Sequence, residues 1–469
     1  MMTGTAGQTA LRELRDGMRG TALLPDDAGY DEARVLFNAM VDVRPAVIAQ
    51  CAGVDDVAAA IAFGQETGLP TAVRAGGHSV AGMSTVADGL VIDVRAFTGV
   101  EVDPGARTAR CGAGATWADF DAATQQHGLA TTGGRVSTTG VAGLTLGGGS
   151  GWLERKHGLT CDNLRAVELV TAAGDRVRAS AIEHADLFWA LHGGGGNFGV
   201  ATAFEFDLHP LGPLVLAGLM LWPGERGREV VELMRETIEN GAPEELALAV
   251  VYLTGPPEEF VPAELQGRLC CGLAFMWAGE DEREGAAFAE DFRTLRPAVD
   301  LVGAMPYVEF QRMIDDPPGL RNYWTADYLD ALPDAAIEVY AAHSERMPVP
   351  SACQSIVFPW GGAIARVSAD ETPMAKREAT WVTHPFALWE DAAGDDAHIA
   401  WARAISAEMK QFSSGGVYLN FIGDEGGGRV RAAFGDNYDR LARVKAEYDP
   451  GNFFRINQNI EPAAAAGIG

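Results

Sequence analysis

The apolar positions of this chain change period several times, and each change marks an element. Residues 11–19 (LRELRDGMR) have the spacing of a short surface helix, followed by a polar turn, PDDAGYDEA. From Pro45 a rhythm sets in. A continuous apolar run, VIAQC, is followed by VDDVAAAIAFGQETG with helical spacing and then by TAVRA, which predicts strand, helix and strand at α/β spacing. LVIDV (90–94), GVEVD and RTARCG around the Asp103-Pro104-Gly105 turn read as further strands, with a helix over TWADFDAATQQHG. Strands resume at AVELVTA and VATAFEFDLHP, and Pro210 and Pro213 mark a boundary.

Beyond residue 213 the texture differs. LVLAGLMLW, LALAVVYLT and LCCGLAFMWAG are strand-like and are separated by the charged helices ERGREVVELMRETIEN and EDEREGAAFAEDFRTLR. This predicts an antiparallel sheet with helices on one face, in an α+β chain. After about residue 412 come SGGVYLNF, a helix over NYDRLARVKAEY and an irregular tail, DPGNFFRINQNI. That tail is too polar for a packed strand and is expected to fold back onto another surface.

Composition narrows the classes. The 469 residues are 47% hydrophobic and 21% charged, an ordinary globular mixture. A net charge of −28 repels phosphate backbones and anionic lipid, which argues against nucleic-acid or membrane-surface partners. The most apolar stretch, Leu211 to Trp222, falls short of the roughly 20 residues that span a bilayer. Because the N-terminal residues show no apolar signal core, the expected location is cytoplasmic. Six cysteines in so long a chain make no disulfide framework, and neither CxxC nor HExxH occurs, so no metal site is expected.

The 57 glycines exceed the roughly 7% of ordinary chains, and they cluster. The clusters are Arg74-Ala75-Gly76-Gly77-His78-Ser79, Gly147 to Gly151, and Gly193 to Gly199. Gly194-x-Gly196-x-x-Gly199 formally matches a dinucleotide fingerprint, but a helical stretch precedes it and a strand follows, the reverse of what that fingerprint needs. The first cluster follows a strand, and its amides can form an anion nest. His78 in its centre reads either as a turn histidine capping a carbonyl or as a group with chemistry.

Taken together, RAGGHS, VAGMSTVADGLVIDV, STTGVAGLTLGGGSGWLERKHGLTCDNL and DLFWALHGGGGNFGVATAFEF closely resemble the vanillyl-alcohol-oxidase and p-cresol-methylhydroxylase-type flavoproteins. The tail, YDPGNFFRINQNI, narrows the resemblance to the berberine-bridge-enzyme-like branch. The resemblance implies an N-terminal helical segment (1–42), a two-subdomain PCMH-type FAD-binding domain (43–212), a substrate domain (213–412) and a C-terminal segment returning to the FAD domain (413–469). It implies FAD bonded once, through His78, to the flavin 8α-methyl carbon. Arg74, Gly76, Gly77, Ser79 and Met83 are expected around that loop. Ser137, Thr138, Thr139, Gly140, Gly143, Leu144, Gly147, Gly148, Gly149, Gly151 and Trp152 are expected to wrap the isoalloxazine and ribityl chain. Cys161, Asp162 and Leu164 are expected nearby, Gly199 and Val200 along the adenosine half, and Asn420, Asn457 and Asn459 facing the flavin from the tail. Where some relatives carry a second, cysteinyl flavin bond, this chain has Val136; Cys161 is read as a packed thiol.

The resemblance further implies hydride transfer to flavin N5 while a base takes the proton. In several relatives a carboxylate stands on the strand before a Gly-Gly turn. Here that strand, Cys353 to Trp360 before Gly361-Gly362, has no acid. Tyr418 is therefore the expected base and Gln354 the substrate orienter, with Glu309, Tyr323 and His343 next in line. Tyr252, Phe275, Trp277, Tyr323, Trp324, Tyr328, Phe358 and Trp360 supply aromatic stock for an apolar cavity, though most are expected in the core. The expected partners are an apolar or aromatic small molecule and O2, in a monomer or homodimer. Secondary metabolism is one setting for such an oxidase. Thr139 and Leu144 also resemble positions in a polyketide-tailoring enzyme that forms a flavin-N5-oxide, and a non-catalytic flavin-binding paralogue is the third reading.

Overall fold

The computed structural model describes residues 5–423 and 426–464. The α/β rhythm near the N-terminus builds a four-stranded sheet in the order Thr21–Leu23, Val47–Gln50, Leu90–Asp93, Thr71–Arg74. Its last three strands are parallel, because the helix Val54–Thr67 supplies the crossover that parallel pairing needs. Val57, Ala60, Ile61 and Phe63 of that helix join Val47, Ala49, Leu90 and Ile92 in the core. Beside it lies an antiparallel five-stranded sheet in the order Val100–Asp103, Thr108–Gly112, Val200–Asp207, Leu164–Val170, Arg176–Ser180. One face of this sheet buries Cys111, Val167, Phe204 and Phe206. The other carries cross-strand pairs, Arg110 with Glu168 at 3.0 Å and Arg178 with Glu205 at 2.9 Å, the alternation expected of a half-exposed sheet.

Residues 214–389 form a third, antiparallel sheet of nine strands. Its main path runs Val299–Asp300, Leu214–Pro223, Leu269–Trp277, Leu246–Thr254, Gln354–Pro359, Trp381–Trp389, Arg321–Trp324. Alternate residues face opposite ways. Leu246, Leu248, Val250 and Tyr252 pack under the helices Gly227–Glu239, Asp334–Ser344 and Asp395–Met409. Ala217, Ala247, Ala249 and Ala274 instead turn toward the first two sheets and share their core. Burial on both faces explains why these strands read as unbroken apolar runs.

Two segments form elements that the sequence left unassigned. The stretch around Tyr418 is a tight turn, Leu419–Phe421, followed by the helix Gly427–Phe434. Trp381–Trp389, fully buried between two neighbours, has no obvious strand signature, because Pro385 and His384 interrupt its apolar run. The tail does fold back. Asn197, on the third glycine cluster, donates to the Gln458 carbonyl at 3.2 Å and accepts from the Ile460 amide at 3.0 Å. All six cysteines are free and buried, and among the described residues no helix is long and apolar enough to cross a membrane.

Candidate active site

The glycine loops, the tail and the inner face of the nine-stranded sheet enclose one cavity of about 340 Å³. Gly76, Gly77, His78, Ser79 and Met83 line it from the loop after strand Thr71–Arg74. Val136, Thr139, Gly140, Gly143, Leu144 and Gly147 line it from the second loop, and Gly195, Gly196 and Gly199 from the third. The sheet contributes Trp324, Gln354, Ile356, Phe358, His384 and Phe386, and the C-terminal segment contributes Leu419, Asn420, Phe421 and Asn457.

His78 is the best-defined group on the wall. Its ring stacks on Phe37 with centroids 4.1 Å apart. Nε2 is 3.2 Å from Thr138 Oγ1 and Nδ1 is 3.4 Å from Thr139 Oγ1. Burial pushes its pKa down to about 4, against a weaker opposing hydrogen bond at Thr138. The imidazole is therefore neutral at physiological pH and carries a nucleophilic lone pair.

Several residues expected at the cofactor have partners within the protein. The buried Arg74 guanidinium bonds the carbonyls of Ala33 and Val35. Ser137 gives its amide and hydroxyl to the Asp315 carboxylate, each at 2.6 Å. Gly149 and Gly151 are glycine because protein crowds them: a Cβ would come within 2.1 Å of Thr160 Oγ1 and 1.7 Å of the Gly133 carbonyl. Gly148 likewise packs against Met374 and Tyr418, and Trp152 tilts onto Phe310 at 4.8 Å. Asp162 pairs with Arg377 and caps the Leu159 amide at 2.8 Å. Cys161 is buried beside that pair, its thiol pushed well up by burial. Leu164 and Val200 are buried strand residues outside the cavity lining. Val200 lies between the lining residues Gly199 and Ala201 and points the other way. Asn459 also lies outside the lining.

Tyr418 requires the largest correction. It is 1% exposed and lies outside the cavity lining. Its Oη accepts from the amides of Gly149 and Ser150, each at 2.7 Å, and from Asn420 Nδ2 at 2.9 Å. Burial holds the phenol well above its ordinary pKa, with those bonds pulling the other way. The hydroxyl organises the second glycine loop and faces no substrate space. Of the reserve candidates, Glu309, Tyr323 and His343 all lie outside the lining. Only Trp324 and Phe358 of the anticipated aromatic stock line the cavity, whereas Tyr252, Phe275 and Trp277 pack under the helices.

The sequence reading missed four polar or aromatic contributors. Arg135 sits between rings, 4.3 Å from the centroid of Phe358 and 5.2 Å from that of Trp152, and is paired with Glu154 at 2.5 Å. Its signal was a lone cation in an otherwise uncharged loop, TTGGRVSTTG. His384 donates from Nδ1 to the Thr325 carbonyl at 2.9 Å and stacks on Phe421 at 4.2 Å. Burial pushes its pKa down to about 4. Phe386 stacks on Trp324 at 4.2 Å. Asp316 reaches the cavity from the turn after helix Tyr307–Arg312 and accepts from Gln354 Nε2 at 3.3 Å.

The residues present fit a dinucleotide flavin. A Cβ on either Gly143 or Gly196, both lining the cavity, would meet no protein atom within 4 Å, so each leaves room for a ligand. The buried Asn457 Oδ1 finds no partner within the protein.

Comparison with known proteins agrees. A family model described as FAD binding domain matches residues 45–180, and one described as berberine and berberine like matches residues 417–461. (R)-6-hydroxynicotine oxidase of Paenarthrobacter nicotinovorans is 30% identical over 463 residues, covering 95% of this chain and 97% of its own. The crystal structure of 6-hydroxy-D-nicotine oxidase from Arthrobacter nicotinovorans superposes with a TM-score of 0.83 at 27% identity, covering 95% of this chain and 98% of that one. Xylooligosaccharide oxidase from Myceliophthora thermophila, solved with xylobiose, has a TM-score of 0.84 at 22% identity, with 97% and 100% covered, a likeness of fold.

Proposed function

Since this chain belongs to the FAD-linked oxidoreductases of the berberine-bridge-like family, we propose that it oxidises an apolar or aromatic small molecule on FAD attached once, through His78. Bound FAD would supply the two-electron acceptor for the substrate's hydride, with O2 as the terminal oxidant. His78 carries the reading: it is a neutral imidazole fixed by a stacked ring and two threonine hydroxyls on the wall of the cavity. Val136 stands in the lining where a second, cysteinyl bond requires a thiol, and Cys161 is committed to the Asp162–Arg377 cluster, which supports a single link. The glycine loops and Asn457 would hold the cofactor. Trp324, Phe358, Phe386 and Phe421 would exclude water and take the flat face of a substrate, in keeping with a relative named for 6-hydroxynicotine. The aromatic end adjoins Gln354, which would orient the substrate through its side-chain amide.

The test is covalent flavin content. Acid-precipitated wild type should stay yellow, with flavin mass on the His78 peptide alone. His78→Ala should release its flavin into the supernatant. Quantitative release from the wild type would refute the link, and a flavin mass on the Cys161 peptide would refute its site.

A further inference from the structure

The adjacent acids Asp315 and Asp316 have divergent fates. Both Asp315 oxygens are taken by Ser137, so this residue ties the turn to the second glycine loop. Asp316 faces the cavity instead, only 9% exposed, with one oxygen accepting from Gln354 Nε2 at 3.3 Å. Pro317 and Pro318 follow directly and restrict the backbone of the turn. Among the described residues lining the cavity, Asp316 is the only carboxylate. It thus stands beside the sheet strand from which an acid was missing, delivered by a different segment of chain.

We propose that Asp316 is the proton acceptor of the oxidation and that the substrate carries a hydroxyl on the carbon that is oxidised. This rests on the reading of the site as an FAD-dependent oxidase. The substrate H–C–O–H becomes C=O: the O–H bond breaks, its proton goes to the Asp316 carboxylate, and its electron pair forms the new C–O bond. The C–H hydrogen leaves with its pair as hydride to the flavin, so the substrate loses two electrons and two hydrogens. A buried base matters for an alcohol, whereas an amine lone pair expels hydride without one.

The other titratable groups among the described residues of the cavity fill the role poorly. Arg135 has no acceptor. His78 and His384 are weak bases, each pushed down to about 4 by burial. Burial, and secondarily the charge of Asp315, push Asp316 up to about 7, the range in which a general base works best near neutral pH.

The experiment uses flavin-loaded protein under anaerobic conditions, with two probe panels: benzylic and allylic alcohols, and the corresponding amines. The wild-type rate of flavin bleaching by the best alcohol should rise with pH through about 7 and then level, because only the carboxylate accepts a proton. Asp316→Asn should slow bleaching by about 10²–10⁴-fold and flatten the profile at unchanged flavin content, and Asp316→Glu should restore part of the rate. A second readout needs no turnover. The infrared difference spectrum of wild type against Asp316→Asn should contain a protonated-carboxyl band that titrates near pH 7, apart from that of buried Asp121, which burial also pushes to about 7. An unchanged rate and profile in Asp316→Asn, or no such band, overturns the assignment. Bleaching by amines alone overturns the substrate class and leaves the oxidase reading standing. A wild type without bound flavin would instead defeat the oxidase reading itself.

Discussion

Neighbouring polar residues divide at this site between those bonded within the protein and those that line the cavity, and burial with hydrogen bonding decides which is which. Asp315 and Asp316 are one such pair. Tyr418 and Asn420 are another: the tyrosine is buried under the loop, while the asparagine lines the cavity and donates to the Leu144 carbonyl at 3.0 Å. The geometry of Tyr418 makes a sharp prediction. Tyr418→Phe keeps the ring but strips the acceptor from two buried amides, each costing about 1–3 kcal/mol when left unpaired. Urea denaturation should show a loss of that order, and flavin should be held less well. Unchanged stability combined with a selective loss of flavin reduction would return Tyr418 to the chemistry. The motif Tyr-x-Asn-Phe was legible in the sequence, but which of its side chains faced the cavity was not, since the tight turn at Leu419–Phe421 sets their directions.

At the scale of elements, the glycine-rich segments have two distinct causes. Gly149 and Gly151 accommodate neighbouring protein, whereas Gly143, in the short helix Val141–Leu146, leaves space in the cavity. Gly143→Ala separates the two causes. An alanine in that helix is favoured over glycine by about 1 kcal/mol, so flavin-free protein should melt slightly higher. The added methyl enters the cavity, so flavin occupancy should fall. Full occupancy would place the cofactor away from this helix. The sheet elements show a parallel ambiguity. Alternating residues such as Leu248 and Ala249 lie on opposite faces, yet both faces are buried, so the sequence shows an apolar run with no hint that one face looks toward the cavity.

At the scale of the whole molecule, the C-terminal tail closes the site. Lys445 is 0% exposed, and its Nζ donates to the Asn197 carbonyl at 2.7 Å, Asp449 Oδ2 at 2.6 Å and the Phe454 carbonyl at 2.9 Å. One buried cation thus joins the last helix, the third glycine cluster and the tail that carries Asn457. Lys445→Met should cost roughly 3–5 kcal/mol, because Asp449 is left buried without its partner, and adding Asp449→Asn should recover part of the loss. Denaturation of the two variants checks this, and flavin content should fall together with stability. The sequence by itself determined most strands and helices between residue 45 and about residue 295, the two textures on either side of residue 213, the glycine loops and the place of His78, because periodicity and local motifs are properties of neighbours in the chain. Tertiary structure alone decided that Tyr418 is spent on backbone amides, that Arg135 lies between two rings and that Asp316 reaches the cavity beside strand Gln354–Pro359. Those outcomes depend on which distant segments meet at the cavity and how completely they exclude water there.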